Sequence, residues 1–177
     1  MISEYDLVLS LLYADEKPIV GMNRLIREIF IVYESFKNDS NLLVQDINFQ
    51  FHKSGPKCDD LADTLVCMYF SRDIDRQLFE KSNAEEYKLS NSGKNHISQE
   101  FELFPINVKN KLLETRKKFD QLKEDEFLNY LSKNHGEYFK SSKNDKKRNF
   151  SLDKNILNKK SKNKCKSKNS VAKPLLR

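Results

Sequence analysis

The chain has 177 residues, with 32 Lys+Arg against 26 Asp+Glu, 3 Cys and no Trp. Its net charge of +6 is unevenly held: residues 141–177 carry 13 basic and 2 acidic residues (net +11), leaving 19 basic and 24 acidic residues (net −5) in residues 1–140. No apolar run approaches the ~20 residues of a membrane-spanning helix, and the start, Met1-Ile2-Ser3-Glu4-Tyr5-Asp6, lacks the basic n-region of a secretory signal. We therefore expect a cytoplasmic protein with one folded domain over 1–139 and a Lys-rich disordered tail over 140–177.

Ser3 is placed to cap a first helix with Asp6 at its third position, and Tyr5, Val8, Leu9 and Leu12 follow at helical spacing. Pro18 ends it. Gly21 opens a second helix, in which Met22, Leu25, Ile26, Ile29, Phe30 and Tyr33 form a broad apolar stripe with Arg24, Arg27, Glu28 and Glu34 off it. Ile47, Phe49 and Phe51 alternate with polar residues, which predicts a half-buried strand. Ser54-Gly55-Pro56 stops that strand and starts a third helix through Leu61, Ala62, Leu65, Met68 and Tyr69. A short strand around 71–74 and another over 85–89 make a hairpin turning at Ser82-Asn83. Two trailing helices run from about Asn107 to Leu122 and from Asp125 to about Leu131, with Gly136 at the end. They pack back on the core or form a homodimer seam.

Cys58 and Cys67 fall in one predicted helix about 13 Å apart, beyond the reach of a disulfide. Cys165 stands alone in the tail, as an incidental thiol or a redox or crosslinking site. Three free thiols fit a reducing compartment.

The order helix, helix, strand, helix, strand, strand predicts a mostly α winged-helix domain with a small β-hairpin. The residues Leu11-Leu12-Tyr13-Ala14, Pro18-Ile19 and Gly21-Met22-Asn23-Arg24-Leu25 with Phe30, then Phe49-x-Phe51 before Gly55-Pro56, then Tyr87-Lys88-Leu89-Ser90-x-x-Gly93, come in sequence. This series resembles the YwgA-like winged-helix proteins of archaea and bacteria over roughly residues 5–139. Lys53 and Ser54 stand where an aromatic often precedes the Gly-Pro of that group. The resemblance implies a winged-helix fold and names no reaction.

A winged-helix protein ordinarily reads DNA with its third helix. Here that helix offers Asp59, Asp60 and Asp63, and carboxylates repel phosphates. A solvated acidic face, or a protein partner with a basic patch, is the expected alternative. Arg72 and Arg76 beside the hairpin are candidate wing contacts to a phosphate backbone, but Asp73, Asp75, Glu80, Glu85 and Glu86 lie among them, so ordinary surface ion pairs compete. Arg24 is expected to make a structural ion pair or cap. Asp73 and Asp75 are the one short motif with a metal-like spacing, and no third ligand accompanies them; His52, His96 and His135 are scattered, and CxxC and phosphate-cradling glycine patterns are missing. We expect no catalytic residue, no metal and no cofactor.

The tail places cations at close intervals: Lys143, Lys146, Lys147, Arg148, Lys154, Lys159, Lys160, Lys162, Lys164, Lys166, Lys168 and Lys173. Such a segment neutralises phosphates and releases counterions, giving salt-dependent, sequence-blind affinity for nucleic acid. Phe150 alone could stack on a base. A solubilising tail is the plain alternative, and an anionic membrane surface a weaker one. The sequence thus predicts a non-enzymatic DNA-associated winged-helix protein, regulatory in role. The alternative is an antitoxin- or adaptor-like interaction module docking a basic partner through the acidic third helix.

Overall fold

The computed structural model describes residues 1–37, 39, 42–50, 52–79 and 84–139. The Lys-rich tail, its expected disorder, Cys165, Phe51 and the Ser82-Asn83 turn lie outside the described residues.

Helix α1 (Glu4–Asp15) starts at a reciprocal cap: the Ser3 hydroxyl accepts from the Asp6 amide, and the Asp6 carboxylate accepts from the Ser3 amide. Such a box satisfies two of the free first-turn donors and contributes about 1 kcal/mol. Six consecutive residues, Leu7 to Leu12, are buried. A helix buried all round is a central helix, and α1 packs against α3, α4 and α5, introduced below.

After Pro18 the chain forms a two-residue strand, β1 (Ile19–Val20). Gly21, at φ +98°, turns it into helix α2 (Met22–Phe36), and its amide donates to the Glu85 carbonyl at 2.7 Å. The apolar stripe of α2 lies in the core as its spacing predicts. Helix α3 (Asp59–Phe70) begins three residues after Pro56, with Cys58 as N-cap. Strands β2 (Ile74–Phe79) and β3 (Ala84–Leu89) pair antiparallel from Ile74↔Leu89 to Phe79↔Ala84. Strand β1 joins the far edge of β3, Ile19 opposite Tyr87, so the sheet order is β1-β3-β2. Helices α4 (Asn91–Leu103), α5 (Ile106–Phe119) and α6 (Glu124–Asn134) follow, then a 3₁₀ turn at Gly136–Phe139. The described residues thus make a mostly helical fold of six α-helices with a small three-stranded antiparallel sheet.

Three expectations are corrected. Over 47–50, the described part of the strand expected at residues 47–51, no strand forms; the isolated bridge there is Gln50↔Lys57, with Ile2↔Val44 just ahead of it. The alternation is real, since Ile47 and Phe49 are buried and Asn48 and Gln50 exposed. However, Phe49 packs on the rings of Phe30 and Tyr33 in α2, centroids 5.1 and 5.5 Å away. Side-chain burial supplies the period of two; a strand also needs a neighbouring backbone, and helix α2 offers none. The first strand of the sheet is instead Ile19–Val20, between the first two helices. Helix α4 has no counterpart in the sequence reading: its inward line is only Gly93, Ile97 and the half-buried Phe101, too thin to show as amphipathic.

The trailing helices pack back on the core. Val108, Leu112 and Phe119 of α5 and Phe127 and Leu131 of α6 are buried, and Phe119 stacks on Phe127 with centroids 4.7 Å apart. They also cover the polar side of α2, which the sequence suggests would face water: Arg27 and Glu28 are buried. Arg116 of α5 is wholly buried, 3.7 Å from Glu28 and 3.1 Å from Asp120, and it donates to the Lys17 carbonyl at 2.5 Å. Arg24 lies 3.4 Å from Glu28, hydrogen-bonds the Phe119 carbonyl and donates to that of Leu122 at 2.7 Å. It is thus both the ion pair and the cap expected of it, closing the C-terminus of α5. Burial pushes the Glu28 carboxyl up to about 8, against the pull of Arg116 and Arg24.

Candidate functional site: the face of the third helix and the hairpin

Helix α3 is fixed from beneath and before. Leu61, Leu65 and Met68 face the core. The turn ahead of it is clamped by α2 and by the 3₁₀ turn: Arg27 donates to the Ser54 carbonyl at 2.9 Å, and the His52 amide donates to that of Tyr138 at 3.2 Å. Gly55, at φ +93°, takes the left-handed conformation the turn requires, and a Cβ there would stand 3.3 Å from the Phe139 ring.

What α3 turns outward changes character along its length. Asp59, Asp60 and Asp63 are exposed in its first half, where carboxylates also meet the positive end of the helix dipole. Val66, Cys67, Tyr69 and Phe70 are exposed in the second half, Phe70 at 76%. Asp59, Asp63, Val66 and Phe70 recur at i, i+4, i+7 and i+11, so they form one stripe. The helix contains no Lys or Arg. Strand β2 adds exposed Leu78 and Phe79.

The candidate wing cations have different fates. Arg76 hydrogen-bonds Glu85 across the hairpin, with Tyr87 donating to the same carboxylate, so its charge is matched locally. Arg72 is exposed and left-handed, at φ +64°, where the chain reverses out of α3. A side chain there costs about 1–2 kcal/mol. The candidate phosphate-binding cations from Lys143 to Lys173 lie outside the described residues.

The reversal is held by a cluster on Asp73 that sequence reasoning missed. Tyr5 of α1 hydrogen-bonds its carboxylate; Ser92 of α4 donates to it at 3.0 Å, and His96 Nδ1 stands 3.2 Å away. Burial pushes the Asp73 carboxyl up, but the hydrogen bonds from Tyr5, His96 and Ser92 outweigh it and hold the group below its ordinary value. Ser90 caps α4 by accepting from the Gly93 amide at 3.0 Å and donates to the Arg72 carbonyl at 2.5 Å. A Cβ on Gly93 would stand 2.0 Å from the Asp73 carbonyl oxygen. Only glycine fits there, which gives a packing reason for the Ser90-x-x-Gly93 motif. The one sequence signal for the cluster is the spacing of Asp73, Ser92 and His96, which means nothing until the fold joins them.

Chemically the cluster is a clamp. Ser71 donates to the Met68 carbonyl and Ser92 to Asp73, so neither hydroxyl hydrogen is directed at the half-exposed His96. Asp75 stands opposite Lys88 in the hairpin register. Among the described residues there is no group of three or more His, Cys, Asp or Glu able to hold a metal ion. Cys58 and Cys67 are free thiols, the first buried and the second exposed. Above the clamp lies an open cleft of about 660 Å³, lined by Tyr69, Phe70, Arg72, Ile74, Asp75 and Ser90 to Ser92. Among the described residues no helix is long and apolar enough to cross a membrane. No protein-family model matches the chain, and neither does any curated protein sequence or solved structure.

Proposed function

We propose that the chain is a non-enzymatic, nucleic-acid-associated protein of winged-helix type, regulatory in role, in which the body engages a protein and the tail engages phosphate. The order α1, β1, α2, α3, β2, β3, with the hairpin directly after α3, supports the winged-helix reading, as does the resemblance to the YwgA-like group. The observation that carries the division of labour is the outward face of α3. Where a DNA reader needs cations it holds Asp59, Asp60 and Asp63 and no Lys or Arg. Affinity for a polyanion must then come from elsewhere in the chain, and residues 141–177 hold a net charge of +11.

The test keeps the full chain and removes charge only. Replacing Lys146, Lys147, Arg148, Lys159, Lys160 and Lys162 with Gln should weaken binding to a random DNA duplex at low salt by tenfold or more in fluorescence anisotropy. It should also flatten the salt dependence, by about 0.9 in log–log slope for each phosphate no longer neutralised. Unchanged affinity would remove nucleic acid from the reading. It would leave the second one, an adaptor- or antitoxin-like module with a solubilising tail, which the same α3 face favours.

A further inference from the structure

The exposed side of α3 continues into the cleft above the Asp73 clamp, and the two together carry a more specific assignment than a docking face in general. We infer that this surface receives an amphipathic basic segment of another protein, with Lys or Arg side chains along Asp59, Asp60 and Asp63 and one bulky apolar side chain in the cleft beside Tyr69 and Phe70. This rests on the reading that the body's partner is a protein.

Three observations fix the occupant. The apolar half of the stripe is uncovered: Val66, Tyr69 and Phe70 are 40%, 44% and 76% exposed, and the cleft opens next to the last two. The two rings form one wall of the cleft and Arg72, Ile74, Asp75 and Ser90 to Ser92 line the rest, so an apolar anchor packs on the rings at its rim, where such a side chain contributes much of an interface's affinity. The acidic half lies on the same stripe, N-terminal to the apolar half, so a segment along the helix meets carboxylates at one end and aromatic rings at the other. Complementarity of charge then selects the partner. A second copy of this face would bring Asp59, Asp60, Asp63 and the cleft's Asp75 from each copy against a single cation, Arg72, from each, leaving most of the buried charge uncompensated. A nucleic acid would set phosphates against Asp59, Asp60 and Asp63. A segment with cations and an apolar anchor satisfies both halves at once.

The face is also rigid enough to select. Its floor is pinned by Leu61, Leu65 and Met68 in the core and by Asp73 between α1, the α3–β2 turn and α4. Such pre-organisation lowers the ordering cost of binding.

The test pans a phage-displayed library of random peptides on the full-length protein carrying Cys165→Ser. Enriched peptides should combine Lys or Arg with one Phe, Trp or Leu. The same synthetic peptides should slow alkylation of the exposed Cys67 by N-ethylmaleimide. Phe70→Ser should weaken them about tenfold, the loss expected for one apolar anchor. Asp59→Lys with Asp63→Lys should weaken them at least as much and invert the salt dependence of binding, because the patch then repels the peptide's cations. Both variants change exposed side chains, and circular dichroism checks that they fold. Enrichment of acidic peptides, no enrichment, or binding indifferent to Phe70→Ser would overturn the assignment. Duplex DNA affinity, read in parallel, reports on the tail separately; if Phe70→Ser weakened DNA binding instead, the division between body and tail would itself fall.

Discussion

Of the 15 residues of α2, ten are buried, Arg27 and Glu28 among them; of the 12 residues of α3, three are. Both segments have an apolar side and a polar side in sequence. In α2 the polar side is roofed by α5 and α6: Arg24 and Arg27 are met by Glu124 and the carbonyls of Phe119 and Leu122, with that of Ser54 from the turn before α3, and Glu28, its carboxyl raised by burial, lies beside Arg116. In α3 the polar side is roofed by nothing among the described residues, and apolar residues are left outside with it. The difference separates a helix whose charges are consumed internally from one whose surface remains available to something else.

The largest expected effect is on the roofed helix. Arg116→Leu removes a wholly buried cation and leaves the part-buried Asp120 and the Lys17 carbonyl without their partner, and should cost about 3–5 kcal/mol in urea unfolding, the usual loss when one member of a buried pair is removed. An equal stability for the variant would mean that the network is ornamental. Next comes the inward side of α3: Leu65→Ala should cost about 3 kcal/mol, from reduced burial and the cavity left behind.

Smaller for each pH unit, though it accumulates across the range, is a dependence on pH. Burial raises the Glu28 carboxyl from 4.5 to about 8 in the folded state. Its contribution to stability is therefore fully present below pH 4.5, declines as the pH rises toward 8 and is flat beyond. The slope is at most about 1.4 kcal/mol per pH unit. Urea midpoints of the parent and of Glu28→Gln between pH 5 and 8 should converge on a flatter profile for the variant. Parallel profiles would show that Arg116 and Arg24 keep Glu28 ionised throughout. The smallest effect belongs to the outward side of α3, where Phe70→Ser should change stability by less than about 0.5 kcal/mol. A loss comparable to that of Leu65→Ala would mean that Phe70 belongs to the core and not to a docking surface.

Much of the fold is legible from local chemistry. The Ser3–Asp6 cap, the stripe of α2, the inward positions Val108, Leu112, Thr115 and Phe119 of α5 and strand β3 all follow from spacing, whereas the strand expected around 71–74 forms over Ile74–Phe79, after the turn that Arg72 and Asp73 make. The acidic half of α3 can be read as well, since Asp59, Asp60 and Asp63 are close in sequence. The apolar half cannot. By spacing Tyr69 reads as a core residue and nothing marks Val66 or Phe70 as exposed, because helical spacing does not say how wide the buried sector is. Helix α4 escapes a sequence reading because it is anchored mainly by a glycine on a carbonyl and by one isoleucine, Gly93 and Ile97, neither of which makes an amphipathic pattern.

Helix positions, the capping residues and the partition of charge between residues 1–140 and 141–177 are properties of neighbouring residues, and neighbouring residues are what a linear chain displays. Which charges become internal is another matter. Glu28 and Arg116 are 88 positions apart, as Tyr5 and Asp73 are 68, and only the folding of α5 over α2 and of α1 against the α3–β2 turn brings each pair together. Desolvation and close packing act through space, so the same polar residue is a surface group or an interior one according to what the fold lays over it.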